Sequence, residues 1–251
     1  MECIHKASLV YDDIQDEDDM RYGAPTLHQV HGVPVAMTVS LYLLGLGYRL
    51  LTECGSTDAR RAEMLYLATD GHCRLCLGQG DELIWTRAPS VLTRDEVLRI
   101  FREKTAPSFE VVLELGGVCA GVDAATRDVI RRYSEELGVA YQIRDDLDDF
   151  TAVGDVDDIL AQRPSVVLAL AYEKASPELR ARIASVWDGK LGKEEADEIR
   201  EIIVHLGAVE QAEALLSDYQ DRALRTLTSL NEAVLKMTLF RIARLVFARD
   251  S

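Results

Sequence analysis

The sequence of 251 residues lacks an excess of positive charge. Its 28 lysines and arginines are outnumbered by 43 aspartates and glutamates, which gives a formal net charge of −15. A nucleic-acid-binding protein usually has the opposite sign, because basic side chains contacting phosphates supply much of its affinity. We therefore expect no nucleic-acid partner.

Cysteine is also scarce, and it follows no disulfide pattern. The five cysteines are an odd number without framework spacing, which is typical of a protein kept in a reducing cytoplasm. Cys73 and Cys76 form a CxxC pair, but the surrounding residues have helical periodicity and there is no second pair. We expect these two thiols to be buried side chains rather than a redox or zinc site.

Long uninterrupted apolar runs are absent as well. The longest apolar stretch, VPVAMTVSLYLLGLGYRLL at 33–51, is interrupted by serine, glycine and tyrosine. We expect this stretch to form a buried helix and not a transmembrane segment. No signal peptide is visible, so we expect a cytoplasmic protein.

The sequence has no segment that alternates apolar and polar residues long enough to form a sheet, and it has no internal repeat. Apolar residues instead recur at helical spacing over 63–85, 96–122 and 125–150, which predicts three long helices. Thr93 and Glu96 form a capping box before the second of them. Shorter helices are predicted from about 169 to 248, with breaks near Ser176, Gly189–Gly192 and Gly207. We therefore predict an all-α fold, in one domain that covers residues 1–251.

What the sequence does contain is a dense acidic cluster, with six acids in the eight residues from Asp12 to Asp19. Like charges this close destabilise a fold unless a positive group lies among them. Asp12, Asp13 and Asp16 have the spacing DDxxD. On a helix, residues four apart lie on the same face, so these carboxylates can bind one ion.

A second cluster repeats the spacing, since RDDLDDF places Asp145, Asp146 and Asp149 at i, i+1 and i+4. Carboxylate oxygens are ligands that Mg²⁺ prefers, and Mg²⁺ often completes its shell with substrate phosphates. Two facing clusters with several cations between them would suit a diphosphate. A di-iron bundle site needs two Glu-x-x-His motifs, and the sequence contains one, Glu2 with His5.

Four motifs in order resemble the trans-isoprenyl diphosphate synthases, or polyprenyl synthetases. ECIHKASLVYDDIQDEDDMRYGAPTLH resembles their first aspartate-rich region, GQGDEL a GQxxDL segment, EKTAPSFE their KT segment, and YQIRDDLDDF their second aspartate-rich motif. The resemblance covers nearly the whole chain. It implies the all-α isoprenoid synthase bundle with a central cavity, and a homodimer.

The resemblance also implies roles for individual residues. Asp12, Asp16 and Asp145 would hold Mg²⁺, about three ions per active site, with Asp13, Asp146 and Asp149 in support. Arg21, Lys104 with Thr105, and Gln142 would contact the diphosphate of an allylic prenyl substrate. Isopentenyl diphosphate would be contacted by His5. The implied reaction is condensation of these two substrates into a longer trans-polyprenyl diphosphate.

Product length is implied by the residues before the first aspartate motif. In the family these residues form the floor of the chain pocket, and here Ala7 and Ser8 are both small. The resemblance therefore implies a product of roughly C20 or longer.

The chain departs from the family pattern in four places. Tyr22 stands where a second arginine normally contacts isopentenyl diphosphate. The family's N-terminal helices are missing, so the chain begins about where the fourth helix should. The stretch after Phe150 is short, with Arg163 near an expected lysine. Glu82 replaces the aspartate of GQxxDL.

The first two departures affect the isopentenyl site and leave open two other functions. The protein would then be a prenyl-synthase-like terpene synthase, which ionises a prenyl diphosphate without elongating it. Alternatively, it would be a non-catalytic partner subunit of an active synthase. The intact aspartates argue against a purely structural role.

Overall fold

The computed structural model of the chain describes residues 1–151, 163–187 and 191–247, and nearly all of its regular structure is helical. The helices are α1 (Glu2–Gln15), α2 (Leu27–His31), α3 (Val33–Glu53), α4 (Asp58–Arg87), α5 (Arg94–Ala120), α6 (Ala124–Thr151), α7 (Val166–Lys174), α8 (Pro177–Ala184), α9 (Lys193–His205), α10 (Ala208–Thr226) and α11 (Ala233–Phe247). Two short strands, β1 (Met20–Arg21) and β2 (Ala24–Pro25), pair antiparallel. The predicted all-α fold class is confirmed.

The helix starts and breaks follow local chemistry. The backbone N–H of Thr93 donates to Glu96 Oε2 at 2.8 Å and the Glu96 N–H to Thr93 Oγ1 at 3.3 Å, so the predicted capping box at the start of α5 is present. The break near Ser176 is confirmed, because its hydroxyl caps α8. Gly207, with φ +64°, lies between α9 and α10. The predicted break at Gly189–Gly192 lies partly outside the described residues.

The chain divides into two compact units, Met1–Thr69 with Val118–Gly121, and Asp70–Gly117 with Val122–Ser251. In the first unit, α1 packs on α3. The Ser40 hydroxyl donates to the Ala7 carbonyl oxygen at 2.8 Å, and both residues are buried. This bond fixes the height of α1 along α3.

In the second unit, α6 is the central helix and packs against α7, α10 and α11. Eleven of its residues are buried. Tyr133 is fully buried, and its hydroxyl donates to the Leu239 carbonyl oxygen of α11 at 2.8 Å. The buried ring stabilises the packing of α6 on α11, and the hydrogen bond of its hydroxyl fixes how the two helices align along their lengths.

Two expectations about burial are wrong. Helix α3 is not a buried helix, since only Ala36, Ser40 and Gly47 are buried along it. By length and composition it is also the one helix of the described residues that could cross a membrane. The apolar side chains of α3 that are more than a third exposed are Val33, Val35, Met37, Leu41, Tyr42 and Leu50. Cys73 and Cys76 are likewise exposed on α4 rather than buried.

Candidate active site

The first aspartate motif lies at the C-terminal end of α1. The helix ends at Gln15, and Asp16 follows as its C-cap, with its backbone N–H donating to the Asp12 carbonyl oxygen at 2.9 Å. Asp13 is buried, whereas Asp12 and Asp16 are half-buried. The first and last acids of DDxxD are therefore accessible, and the middle acid is enclosed.

Arg21 is the positive group that stabilises this acidic cluster. Its Nε donates to Asp13 Oδ1, and its Nη2 lies 3.5 Å from Asp12 Oδ2 and 3.4 Å from Asp18 Oδ2. One guanidinium thus contacts three carboxylates, as its planar array of donors allows. Arg21 is therefore the positive group that the six acids between Asp12 and Asp19 require.

The strand pair β1–β2 presents Arg21 to the motif. The two residues between the strands, Tyr22 and Gly23, have φ of +52° and +76°. Positive φ at both positions is the geometry of a type I′ hairpin turn, whose twist matches the flanking strands. Tyrosine is unusual there, because a side chain with positive φ crowds the backbone. Tyr22 is 81% exposed at the tip of the turn.

The other sequence-predicted residues of this unit are on α1. His5 is exposed, and its carbonyl oxygen accepts a hydrogen bond from the Ser8 hydroxyl at 2.8 Å. Ser8 is also exposed. Ala7, in contrast, is 2% exposed and lies against α3. The two small residues predicted to form the chain pocket therefore have different surroundings.

The second unit brings together α4, α5 and α6 through close backbone contacts. A Cβ on Gly78 of α4 would lie 2.5 Å from the Glu103 carbonyl carbon of α5, and a Cβ on Gly138 of α6 would lie 2.7 Å from Ala106 Cα of α5. Only glycine permits such approaches. Both contacts flank Lys104, so they set its position relative to the neighbouring helices.

Lys104 forms an ion pair with Glu82 of α4. Its Nζ lies 2.8 Å from Glu82 Oε2 and 3.0 Å from Glu82 Oε1. Glu82 is buried, whereas the Lys104 side chain is 24% exposed. The Glu82 carboxylate therefore holds the Lys104 ammonium group from the buried side, and the exposed side of the ammonium group stays accessible to a ligand.

Asp145, the first acid of the second motif, is close enough to Lys104 to interact with it electrostatically. Desolvation by the surrounding protein raises the pKa of Asp145, and the positive charges of Lys104 and Arg144 oppose that rise. Arg163, which is exposed, also lowers the pKa of this carboxyl group. Three of the sequence-predicted residues, Lys104, Asp145 and Arg163, thus lie in one electrostatic environment.

Asp146, the middle acid, caps the start of α7. Its Oδ2 accepts the backbone N–H groups of Val166 at 2.7 Å and Val167 at 3.1 Å. Desolvation raises the pKa of Asp146 to about 7, even though these hydrogen bonds and one with Ser165 oppose the rise. Asp13 and Asp146 therefore share a property, because each middle acid is engaged by the protein itself.

The remaining predicted residues of this unit lie on the same helices. Thr105 is buried next to Lys104 on α5, Gln142 is half-buried one turn before Asp146, and Asp149 is exposed. Within the described residues, no three His, Cys, Asp or Glu side chains converge tightly enough to form a metal cage.

Sequence reasoning missed the role of Glu82, which it noted only as a departure from GQxxDL. The contact joins residues 22 positions apart on two helices, and no spacing rule predicts such a pair. It also passed over Lys6 of α1, whose Nζ lies 5.4 Å from the centre of the Tyr22 ring. The available signal was its rarity, because Lys6 and Arg21 are the two lysine or arginine residues of the first 48.

Comparison with known proteins agrees with this arrangement. The family model described as polyprenyl synthetase matches residues 1–206. A relative from Rhodobacter capsulatus, an all-trans-nonaprenyl-diphosphate synthase, is 28% identical over 99% of this chain and 76% of its own.

Solved structures give the same result. A geranylgeranyl pyrophosphate synthetase from Pyrococcus horikoshii superposes with a TM-score of 0.89 at 25% identity, over 99% of this chain and 77% of that one. A geranylgeranyl pyrophosphate synthase from Corynebacterium glutamicum, solved in complex with isoprenyl diphosphate and magnesium, has a TM-score of 0.86 at 26% identity, with coverage of 99% and 77%. The chain therefore belongs to the polyprenyl synthetase family and is a prenyltransferase.

Proposed function

We propose that the protein condenses an allylic prenyl diphosphate with isopentenyl diphosphate to make a longer trans-polyprenyl diphosphate, with Mg²⁺ as cofactor. One repeated arrangement carries the proposal. Each DDxxD motif has its middle acid engaged by the protein and a basic side chain beside its first acid, Arg21 near Asp12 and Lys104 near Asp145. Carboxylates next to a cation suit a metal-bound diphosphate, because both charges are then balanced.

The residues fit Mg²⁺. This ion dehydrates reluctantly and is usually held by one or two carboxylates, with waters and substrate phosphates completing its shell. A closed cage of three protein ligands is thus not required. Asp12, Asp16 and Asp145 remain the predicted ligands, for about three ions per site. When bound, the metal stabilises negative charge on the departing diphosphate.

The chain's own residues would act on the same leaving group. By the family resemblance, the Lys104 ammonium and the Arg21 guanidinium would donate hydrogen bonds to the diphosphate oxygens while the allylic C–O bond breaks. The bonding electrons leave with the diphosphate, and the carbon fragment becomes an allylic cation. The double bond of isopentenyl diphosphate attacks this cation, and loss of a proton completes the product.

Product length is proposed to be roughly C20 or longer, because the family resemblance implies a pocket floor at Ala7 and Ser8, and both residues are small. The related proteins span this range, since one is named for a nonaprenyl product and others for a geranylgeranyl product.

We further propose a cytoplasmic homodimer. The exposed apolar face of α3 supports it, because monomers seldom expose several large apolar side chains on one helix. The absence of a disulfide framework supports a reducing compartment.

A second candidate function is ionisation of a prenyl diphosphate without elongation. Tyr22 favours it, because tyrosine carries no positive charge where the family pattern has an arginine. Cyclisation or transfer to another acceptor would need only the allylic and metal site.

The test incubates the protein with farnesyl diphosphate and Mg²⁺, with and without isopentenyl diphosphate, and identifies products by mass spectrometry. Longer diphosphates formed only with isopentenyl diphosphate and abolished by a chelator are expected. A cyclic or hydroxylated product without isopentenyl diphosphate would instead establish the second candidate. No turnover in either mixture would favour a non-catalytic subunit.

Asp145→Asn should abolish this turnover. The matched control is Asp148→Asn, which removes the same charge from the same helix at a position outside the DDxxD spacing. Equal loss of activity in both variants would contradict the assignment of Asp145.

A further inference from the structure

Positive charge is scarce in residues 1–48 of the first unit. Residues 1–48 contain seven acids and two lysine or arginine residues, Lys6 and Arg21. Arg21 is committed to the carboxylates of Asp12, Asp13 and Asp18. Arg21 is also proposed to contact the allylic diphosphate, so Lys6 is the lysine or arginine of this stretch that is left for a second anion.

Lys6 is held loosely, so its ammonium group can move to a ligand. Its side chain is 47% exposed, and its ion pair with Glu2 Oε1 spans 3.6 Å between exposed groups. Exposed pairs of this kind contribute little to stability. The contact with the Tyr22 ring is a cation–π interaction, which is also weak at an exposed site.

Tyr22 determines where that ammonium group lies. The ring stands at the tip of the β1–β2 turn, next in sequence to the arginine that contacts the first aspartate motif. By contacting the ring face at 5.4 Å, Lys6 brings its charge from α1 to the turn. A positive charge is thus present at the turn although residue 22 itself is neutral.

We infer that Lys6 binds the diphosphate of isopentenyl diphosphate, with the Tyr22 ring holding the ammonium group at the turn. This inference rests on the proposed elongation reaction. A lysine ammonium is a compact charge with three donors that suits a terminal phosphate. Lys6 follows His5, for which the family resemblance implies contact with the same substrate. The substrate would therefore contact consecutive residues of α1.

The test measures steady-state kinetics for both substrates in Lys6→Met, Lys6→Arg and Lys6→Met/Tyr22→Arg. Lys6→Met is expected to raise the KM for isopentenyl diphosphate about tenfold, because a charge-assisted hydrogen bond is lost. The KM for the allylic diphosphate should change less than about twofold. Lys6→Arg should keep most of the affinity, and Tyr22→Arg should restore it in the double variant.

A matched control is Arg132→Met on α6, which removes one positive charge from another exposed i,i+4 pair, with Asp128. Its KM values should equal those of the unchanged protein. Titration calorimetry with isopentenyl diphosphate alone provides a readout that is independent of turnover. Thermal unfolding of each variant confirms that the fold is intact.

The outcomes separate the inference from the function on which it rests. If the unchanged protein elongates and Lys6→Met leaves the KM for isopentenyl diphosphate unaltered, the inference is wrong and the function stands. A loss in Lys6→Met that Tyr22→Arg fails to restore would also overturn the placement of the charge at the turn. If the unchanged protein neither binds isopentenyl diphosphate nor elongates, both are wrong.

Discussion

Single residues in the second unit show how a carboxylate can prepare a lysine for anion binding. Glu82 is buried and its two oxygens lie within 3.0 Å of Lys104 Nζ. Without the carboxylate, the long lysine side chain would sample several rotamers, and fixing one of them on substrate binding would cost entropy. The acid thus orients the base without contacting the substrate itself.

Glu82→Gln is accordingly expected to lower kcat/KM for the allylic diphosphate by roughly tenfold or more, because the Lys104 ammonium group loses the carboxylate that positions it. Steady-state kinetics measure this effect. Glu103→Gln is the control, since Glu103 precedes Lys104 on α5 but pairs with Arg99 at the surface. A Glu82→Gln enzyme with unaltered kinetics would contradict the positioning role.

The two small residues before the first aspartate motif can be tested separately. Ser8 is exposed, so Ser8→Phe adds volume without disturbing the packing of α1 on α3, and we expect it to shorten the product. Ala7→Phe should also shorten it, but it would cost about 1–3 kcal/mol in stability, because Ala7 is buried against α3. Product analysis by mass spectrometry reports the length, with Ser8→Ala as the control. Unchanged products from both phenylalanine variants would rule out the predicted pocket floor.

At the scale of elements, Asp146 joins two helices. It lies on α6 and accepts the first two backbone N–H groups of α7, which have no partner within their own helix. Asp146, which is distant in sequence, caps these two N–H groups, and the neighbouring Ser165 caps the N–H of Leu168. The two caps together satisfy the backbone donors at the start of a helix whose first six residues are all buried.

Asp146→Ala should therefore lower the free energy of unfolding by about 1–2 kcal/mol, because the cap is lost and buried donors are left without a partner. Asp146→Asn should retain most of the stability, since its carbonyl oxygen can accept the same bonds. Urea unfolding followed by circular dichroism measures both. Asp148→Ala, on the exposed side of α6, should stay within about 0.5 kcal/mol. Equal stability of all three variants would refute the capping role.

The helices could be predicted from sequence because their signals are local. The capping box of Thr93 and Glu96 involves residues three apart, and the apolar period of α6 appears within a few turns. The contacts of Asp146 and Glu82 span about twenty residues, so no periodicity reports them. The hairpin was missed because strands of two residues are too short to show alternation.

The aspartate motifs could be predicted because helical spacing alone places their outer acids on one face. What the middle acids do could not be predicted, since Asp13 and Asp146 occupy the same position of a DDxxD motif and have different partners. Burial of α3 was misjudged for a related reason. Composition shows that a helix is apolar, but it does not show whether the same chain covers that helix.

At the scale of the whole molecule, the exposed side of α3 bears on association. Burying apolar side chains such as Leu41 and Tyr42, which are 56% and 70% exposed, would favour a dimer by about 25 cal/mol per Å² of apolar surface. A monomer that leaves them in water forgoes this stabilisation. The homodimer proposal therefore makes a direct prediction about size in solution.

Analytical ultracentrifugation should show a dimer for the unchanged protein and a shift toward monomer for Leu41→Lys, because an unpaired charge in an apolar interface is unfavourable. Val234→Lys, at a side chain of α11 that is 72% exposed, should stay dimeric. A monomer at all concentrations, or a dimer unaffected by Leu41→Lys, would exclude this face as the interface.

The glycine contacts around Lys104 have a consequence for motion. Where the backbone of α5 touches α4 at Gly78 and α6 at Gly138, no side chain lies between the helices to adjust by changing its rotamer. Amide protons in this stretch can exchange with solvent only when the helix opens locally or the helices separate, whereas those of the exposed turn at Tyr22 need no such opening. Backbone rearrangements that accompany substrate binding should therefore be fast at the turn beside Arg21 and slow around Lys104. The two cations would then differ in the timescale of their motion as well as in position.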